Sequence, residues 1–402
     1  MDFNTIELDD EHRTLRDEIR DFMTEQVTDE VLQHELETGD GFSESLHLAM
    51  GQRGWILPHW PVERGGAGLD ALGVYILERE TALAKAPWVT LGTTRLVTPA
   101  VERFLDAEIR DEVLQGVANG TVRFCLGYTE PHGGSDIAGA RTRAVQDGDD
   151  WIVSGSKMFT TGAHNCQYSF LITRSDPQLP KHKGLTMFLM PLDAPGIEIR
   201  PIRAFSGERT NMVFYDDVRL HKKYLLGEPN AGWGVLRGPL DAEHGSRDGA
   251  DDGLSEHSAM AGSIIREVHE AFEGVLDWAD TTGPDGRRPA DDPAVLERLG
   301  RIAMRSDAAL VSPDPSGRIL SGEAAVWAGS EMLNLLGPEG LVNRGHHDSL
   351  AGGYAEYLSR YAQGAVTYGG TVEVFRTIIA QRELGLPRMD YPGSKAYVTH
   401  AS

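Results

Sequence analysis

The order of hydrophobic periodicities along the chain constrains its fold more than any other feature. Apolar residues recur every three or four positions before about residue 120, alternate with polar ones across 123–226, and return to helical spacing from about residue 233. Because helices and strands do not alternate, the pattern argues against the βαβ units of a Rossmann fold. It predicts an α+β protein, mostly α, with helices first, an antiparallel β unit next and helices last.

Helical stripes support this order at both ends of the 402-residue chain. Within residues 10–28, one stripe contains Leu15, Ile19, Phe22 and Met23. The same spacing predicts helices over 43–54, 71–86, 263–279, 293–310, 322–336 and 352–367. We expect an N-terminal helical domain, a central β domain, a C-terminal helical domain and a tail without assignment, at residues 1–122, 123–232, 233–390 and 391–402.

Charge and cysteine content narrow the classes of function. The chain carries 61 acidic and 38 basic residues, and the resulting net charge of −23 argues against nucleic acid as a partner. Cys125 and Cys166 have no neighbours at metal-ligand spacing, so we expect free thiols and no metal site. The acidic N-terminus lacks the features of a signal peptide, and no apolar run is long enough to span a membrane. We therefore predict a cytoplasmic protein.

The first candidate ligand site is the sequence GYTEPHGGSD at residues 127–136. Thr129 and Ser135 offer hydroxyl groups, and Gly133 and Gly134 let backbone N–H groups approach a ligand. This combination suits a phosphate or the acceptor-rich edge of a ring. A polar turn between strands is the alternative interpretation.

Three further segments carry residue types with a chemical use. In GSKMFTTG, residues 155–162, Phe159 could stack on a planar ring while Thr160 or Thr161 bonds to its edge, or Phe159 could belong to the core. In YGGTVE, residues 368–373, free N–H groups at a helix start could bind an anion, or Thr371 could act only as an N-cap. Glu243, in an otherwise apolar helical segment, is a candidate general base or a surface carboxylate.

Taken together and in this order, these segments resemble the acyl-CoA dehydrogenase family over almost the whole chain. The most specific stretches are YTEPHGGSD, GSKMFTTG, VFYDDVRL with GEPNAGW, and YGGTVEVFRTIIAQRELGLPR, at 128–136, 155–162, 213–233 and 368–388. The resemblance implies an N-terminal helical domain, a central antiparallel β-barrel and a C-terminal four-helix bundle. It also implies FAD as the cofactor, held between two subunits.

The resemblance assigns the flavin contacts residue by residue. Thr129, beside Tyr128, matches the position at the pyrimidine end of the flavin, and Gly134 and Ser135 match the part that meets the pyrophosphate. Phe159 matches a ring-stacking position where many members have Trp. The remaining matches are Thr161 near the reactive nitrogen N5 and Thr371 and Glu373 as C-terminal cofactor contacts.

The implied reaction is α,β-dehydrogenation of an acyl-CoA thioester, with a fatty or steroid-derived acyl group. A carboxylate takes the α-proton, the β-hydrogen leaves as hydride to the flavin, and the electrons pass to an electron-transfer flavoprotein. An acyl group tethered to a carrier protein fits the sequence equally well.

The chain departs from the family pattern at the catalytic base. Many members carry the base within Tyr-Glu-Gly-Thr, but this chain has Gly369 at the glutamate position. A second subgroup carries it on the first helix of the C-terminal domain, where this chain has Glu243. We therefore predict Glu243 as the catalytic base, with Glu256 as the alternative, because the polar, Gly-rich sequence that follows Glu243 is unusual for a helix.

A second departure concerns the oligomer. Homotetrameric members have an Arg-x-x-Phe-Gly segment that reaches the neighbouring FAD, but this chain reads WADTTGPDGRRPADDP at 278–293. A Gly-Gly-x-Gly cofactor contact is also reduced to GPEG at 337–340. The pattern is similar to actinobacterial steroid dehydrogenases with an α2β2 assembly and complementary half-sites, so we expect a dimer of dimers with a homologous partner. Alternatively, Arg287 or Arg288 replaces the missing Arg in a homotetramer.

Two other functions share this fold. A flavin monooxygenase needs no α-proton base, so the Glu243 segment favours the dehydrogenase. A non-catalytic subunit of a heteromeric dehydrogenase would explain the missing cofactor contacts and Gly369, but it would not explain the intact YTEPHGGSD segment.

Overall fold

The computed structural model of the chain describes residues 7–87, 89–243, 259–313 and 315–387. These residues form two compact units. The first contains the described residues up to Arg203 together with Gly207–Pro239, and the second contains Ala204–Ser206 and the described residues from Leu240 onward.

The first unit opens with helices whose starts are capped by short polar side chains. The helices are α1 Asp10–Gln26, α2 Asp29–Thr38, α3 Glu44–Gln52, α4 Ala71–Leu83, α5 Val89–Phe104 and α6 Ala107–Ala118. Asp9, Thr28, Ser43 and Asp70 each accept a backbone N–H in the first turn of the helix that follows. The stripe predicted in α1 is confirmed, because Ile19, Phe22 and Met23 are all buried there.

Eight strands follow and form one sheet. They are β1 Phe124–Gly127, β2 Arg143–Asp147, β3 Asp150–Lys157, β4 Tyr168–Arg174, β5 Leu185–Pro191, β6 Ile197–Arg203, β7 Arg209–His221 and β8 Leu225–Leu226. The hydrogen-bonded order is β6-β7-β3-β2-β4-β5-β8, with β1 pairing β4 off this path. Most neighbours are antiparallel, whereas β1 and β2 run parallel to β4.

Helix α5 fixes the start of β1 through two side-chain hydrogen bonds. The Thr93 hydroxyl donates to the Phe124 carbonyl oxygen at 2.8 Å, and the Thr94 hydroxyl accepts from the Phe124 N–H at 3.0 Å. Phe124 is fully buried, so these bonds satisfy backbone groups that water cannot reach. The loop that leaves β1 therefore starts from a rigid position.

The second unit is helical. Its helices, with α7 at the junction of the two units, are α7 Gly232–Glu243, α8 Ala259–Asp280, α9 Pro293–Leu310, α10 Ser316–Leu336, α11 Tyr354–Ala365 and α12 Val372–Ile378. Helices α8, α9, α10 and α11 share one apolar core. Small residues such as Ala325, Ala328 and Ala362 in that core allow the helix backbones to approach closely.

The predicted fold class is confirmed, including the four-helix bundle at the C-terminal end. The central sheet differs from the predicted antiparallel barrel in two respects. Among the strands that the structure describes, no ladder joins β6 to β8, so the sheet is open, and β1 and β2 run parallel to β4. The domain boundaries after residues 122, 232 and 390 remain predictions. Within the described ranges, no helix is long and apolar enough to cross a membrane.

Two helical glycines provide a matched test of packing. A Cβ at Gly51 in α3 would lie well inside van der Waals contact of the Asn119 carbonyl oxygen, whereas a Cβ at Gly300 in α9 would meet nothing within 4 Å. We expect Gly51→Ala to lower the free energy of unfolding by about 1–3 kcal/mol. Gly300→Ala should raise it by about 0.5–1 kcal/mol, because alanine favours the helix. Urea denaturation checks both values, and equal stabilities for the two variants would contradict the packing of α3 against Asn119.

Candidate active site

Two of the segments singled out in the sequence lie side by side in the first unit. The segment Tyr128–Asp136 leaves the end of β1, and the turn at 158–162 leaves the end of β3. The Met158 N–H donates to the Thr129 carbonyl oxygen at 2.8 Å. Residues about thirty positions apart in the chain are thereby joined into one surface.

A buried ion pair holds the two segments together. The Lys157 ammonium donates to Oε1 of Glu130 at 2.7 Å and to the Tyr128 carbonyl oxygen at 3.2 Å. The Glu130 carboxylate also accepts the N–H groups of Arg141 and Thr142 at 2.7 and 2.8 Å. The pair therefore links β1, β3 and the approach to β2 beneath the loop.

Burial and the neighbouring charge shift the pKa of each member of this pair in opposite directions. Desolvation alone would raise the pKa of Glu130, but the adjacent Lys157 charge and the hydrogen bonds hold the pKa below its usual value. Burial lowers the pKa of Lys157 to about 8, although the Glu130 carboxylate counteracts the shift. Both groups are therefore charged near neutral pH, and each neutralises the other inside the protein.

The glycines of the first segment leave space that the chain does not fill. Glu130 and Gly133 exchange two backbone hydrogen bonds, at 3.0 and 3.2 Å, and so close a tight turn. A Cβ at Gly133 would meet no atom within 4 Å, and one at Gly134 would make only ordinary contact with Thr129. Packing within the chain therefore does not require glycine at either position, and the backbone there is open to approach by an external group. The exposed Ser135 hydroxyl beside them suits a pyrophosphate.

Phe159 adopts a backbone conformation that a phenylalanine rarely takes. Its φ is +59°, and its side chain is 56% exposed. The Thr161 N–H donates to the Phe159 carbonyl oxygen at 3.0 Å, which tightens the turn. A left-handed backbone costs about 1–2 kcal/mol for a residue with a Cβ, and an exposed ring recovers little of it. The turn therefore presents the ring outward at a cost in stability, as expected for a ligand-stacking residue.

The two threonines after Phe159 differ in exposure. Thr160 is buried. Its N–H donates to the Asn211 carbonyl oxygen, and its carbonyl oxygen accepts from the Asn211 side-chain amide, both at 3.0 Å. Thr161 is exposed, and its hydroxyl lies 3.0 Å from that of Thr210. Of the two predicted alternatives, Thr161 is the one whose hydroxyl can meet a ligand at this surface.

Tyr128 differs from its neighbours in the predicted contact set. Its ring is buried and packs edge-on against Phe170, with ring centroids 6.1 Å apart. The side chain thus supports the loop from below, while Thr129 is partly exposed.

The second unit contains the remaining predicted cofactor contacts. Thr371 caps α12, because its hydroxyl accepts the Val374 N–H at 3.2 Å, and Glu373 lies exposed in the first turn. Gly369 and Gly370 precede the cap with φ of +62° and +91°. Such consecutive left-handed residues shape a turn that only glycine adopts without strain.

A buried arginine holds this turn from below. The Arg318 guanidinium, on α10, donates to the carbonyl oxygens of Ala365, Tyr368 and Gly370 at 2.5, 2.8 and 3.4 Å. Arg318 is almost fully buried. Arg318 therefore holds the turn through backbone carbonyl oxygens alone. These hydrogen bonds do not require a side chain at position 369, where this chain has glycine.

The predicted base lies at the limit of what the structure describes. Glu243 is the last residue of α7, and only its backbone is described. Glu256, the alternative, lies outside the described residues. Both assignments remain predictions.

Sequence patterns missed three groups that organise the site: the Glu130–Lys157 pair, Arg318, and a cluster of Asp40 with His164. Strand alternation did not mark the first, because β3 is irregular between Val153 and Gly155, and Gly155 is exposed although it shares the parity of Val153 and Lys157. No local pattern marks Arg318 or Asp40 either, because their partners are distant in sequence.

The Glu130–Lys157 pair allows a quantitative test. Lys157→Met should lower the free energy of unfolding by about 3–5 kcal/mol, because it leaves a buried carboxylate without its counter-charge. The double variant Glu130→Gln with Lys157→Met should lose less free energy of unfolding than the sum of the losses in the two single variants. Urea denaturation of all four proteins measures the coupling, and additive losses would contradict a direct interaction.

Comparisons with known proteins agree with this geometry. Residues 9–121 match the acyl-CoA dehydrogenase N-terminal domain, and residues 125–218 match the acyl-CoA dehydrogenase middle domain. The acyl-CoA dehydrogenase FadE26 of Mycobacterium tuberculosis is 30% identical over 93% of this chain and 96% of its own. The acyl-CoA dehydrogenase IpdE1 of Mycolicibacterium smegmatis is 33% identical over 82% of this chain and 84% of its own.

Among solved structures, one chain of the ChsE4-ChsE5 complex from Mycobacterium tuberculosis superposes with a TM-score of 0.80 and 28% identity, over 96% of this chain and 100% of that one. The sequence comparisons identify the family, and the structural comparison agrees with its fold. This chain belongs to the acyl-CoA dehydrogenase family, whose members are oxidoreductases that bind FAD, as its sequence predicted.

Proposed function

We propose that this chain is a catalytic acyl-CoA dehydrogenase that desaturates the α,β bond of a fatty or steroid-side-chain acyl thioester. The observation that carries the proposal is the surface formed by Thr129, Gly133, Gly134, Phe159 and Thr161, which combines open glycine backbone with an exposed ring on a strained turn. Two structures described as a steroid ACAD, 26% and 27% identical to this chain, support the steroid class of substrate.

Each part of this surface suits one part of FAD. Thr129 would bond to the pyrimidine end of the flavin, while the backbone at Gly133 and Gly134 and the Ser135 hydroxyl would meet the pyrophosphate. Phe159 would stack on the ring system, and the Thr161 hydroxyl would lie at its edge. Thr371 and Glu373 would supply further contacts to the cofactor. Bound FAD would provide the two-electron acceptor that no side chain can replace.

The chain's own contribution is a base and an ordered, water-poor site. The Glu243 carboxylate would take the α-proton of the thioester, and desolvation next to the substrate would raise its basicity toward the working range. Hydrogen bonds to the thioester carbonyl would stabilise the negative charge that develops on its oxygen. The rigid Phe159–Thr161 turn would hold the acceptor in line with the β-hydrogen. Reducing equivalents would then pass to an electron-transfer flavoprotein.

The assembly that we propose is a dimer of dimers with a homologous partner chain. The segment expected to serve a neighbouring FAD lacks its Arg and Phe, and of the two arginines that could replace the missing Arg, Arg287 and Arg288, the second has partners close by. The Arg288 guanidinium is engaged within its own loop, at 2.7 Å from Asp280 and 2.8 Å from Asp291. The solved ChsE4-ChsE5 complex, itself a complex of two named chains, supports the analogy.

The flavin content of the purified chain tests the assembly. Expressed alone, the chain should bind well under one FAD per subunit, because part of each site would come from the partner. Co-expression with a homologous acyl-CoA dehydrogenase chain should restore a stable flavin complex. Absorbance of released flavin against protein concentration gives the ratio, and one FAD per chain in the isolated protein would exclude the obligate heteromer.

Substitution of the proposed base tests the chemistry. Glu243→Gln keeps the size of the side chain but cannot accept the α-proton, so flavin bleaching by an acyl-CoA under anaerobic conditions should slow by about 100-fold or more. FAD binding should be unchanged. Glu256→Gln is the matched control and should retain the parent rate. If Glu256→Gln alone abolishes bleaching, Glu256 is the base, and if neither variant slows it, the proton leaves by another route.

A further inference from the structure

A carboxylate–histidine pair lies directly behind the Phe159–Thr161 turn. Asp40 follows the end of α2, and its Oδ2 lies 2.7 Å from Nε2 of His164, three residues after Thr161. The Asn165 amide donates to both Asp40 oxygens at 3.0 Å. Asp40 and His164 side chains are each only 16% exposed, so water competes weakly for these bonds.

The neighbouring Asn211 fixes the tautomer of His164. The Asn211 amide nitrogen donates to the Thr160 carbonyl oxygen at 3.0 Å, and its oxygen accepts from Nε of Arg209 at 3.4 Å. A carbonyl can only accept and a guanidinium can only donate, so these two partners determine which way the amide points. The same amide nitrogen lies 3.2 Å from Nδ1 of His164, which must therefore accept. Nε2 then carries the proton and donates it to Asp40.

Charge stabilises the arrangement. Desolvation alone would raise the pKa of Asp40, but the hydrogen bonds from His164 and Asn165 and the nearby Arg209 charge bring the pKa below its usual value. Asp40 is therefore an anion that accepts three side-chain hydrogen bonds. Bonds to a charged acceptor are about twice as strong as those between neutral groups.

Backbone hydrogen bonds extend the same link. The Arg209 N–H donates to the Gly39 carbonyl oxygen at 2.7 Å, and the Thr160 N–H donates to the Asn211 carbonyl oxygen at 3.0 Å. The end of α2, the start of β7 and the turn after β3 are thus connected in one network. Thr210, whose hydroxyl meets that of Thr161, lies between Arg209 and Asn211 in that network.

We propose that Asp40 and His164 are positioning residues that hold the Phe159–Thr161 turn, through the Asn211 amide, in the conformation that receives the flavin. The proposal rests on the proposed FAD contacts of Phe159 and Thr161. A residue in a strained backbone persists only where its surroundings determine its conformation, and the Asp40–His164–Asn211 network provides that determination from behind the turn. Neither side chain itself needs to touch the cofactor.

The decisive variant is His164→Ala, compared with His12→Ala. His12 is a suitable control because its ring also bridges two side chains of the same unit, the helix-capping Asp9 at 2.8 Å and Asp70 at 3.1 Å, but lies outside the network behind the turn. Amide hydrogen exchange of the peptide covering residues 158–166, measured without added FAD, should accelerate by about tenfold in His164→Ala. It should stay at the parent rate in His12→Ala.

FAD binding provides the second measurement, made on the chain in whichever assembly binds the cofactor. The dissociation constant of FAD should rise by about tenfold in His164→Ala, and the visible spectrum of the bound flavin should shift. Asp40→Asn retains an oxygen that can accept the hydrogen bond from His164. The FAD affinity of this variant should therefore fall less than that of His164→Ala. This conservative variant also serves if His164→Ala fails to fold.

The outcomes distinguish a failure of the positioning role from a failure of the proposed function. Unchanged exchange at 158–166 in both His164→Ala and Asp40→Asn overturns the positioning role. Faster exchange with unchanged FAD affinity and spectrum also overturns it, because the network would then serve stability alone. If the parent chain binds no FAD in any assembly, the proposed function itself fails, and this inference fails with it.

Discussion

The buried contact between Lys157 and Glu130 is the interaction on which the arrangement of the first unit's site depends. Charges are costly to bury, so their presence beneath a surface loop imposes strict geometry on everything bonded to them. Two segments, the approach to β2 and the end of β3, converge on the Glu130 carboxylate, and a shift of either would leave a charge or a backbone N–H without its partner. An apolar pair of similar volume would pack as well but would not fix the direction in which each segment leaves the core.

The buried ion pair fixes the segments above it. This explains how the surface can contain conformations that are unfavourable by themselves. Phe159 holds a left-handed backbone and an exposed ring, and a Cβ at Gly133 would meet no atom within 4 Å. Neither feature improves the packing of the chain. Both are tolerated because the ion pair on one side and the Asp40–His164–Asn211 network on the other determine the loop positions. The stability cost is therefore confined to this surface.

The sequence predicted the fold because hydrophobic period is a local signal. The α1 stripe and the exact span of α9, 293–310, were readable from spacing alone, and so was the position of the β region. The open sheet was not, because whether β6 meets β8 depends on strand twist and on partners far apart in sequence. For the site, Gly133, Phe159 and Thr161 were singled out by residue type, and the resemblance added roles for Phe159 and Thr161, whereas Arg318 and Asp40 were missed. Their roles arise from contacts with segments about fifty and 124 residues away, for which a single sequence contains no spacing rule.

Arg318 also clarifies why the family's usual base position can be empty here. The turn before α12 is held through the carbonyl oxygens of Tyr368 and Gly370, and its shape comes from left-handed φ angles at Gly369 and Gly370. None of these interactions involves a side chain at position 369. A carboxylate can therefore be absent from that position without loss of the turn or of the Thr371 cap. The proposed base on α7 is therefore physically compatible with a preserved turn before α12 within one chain.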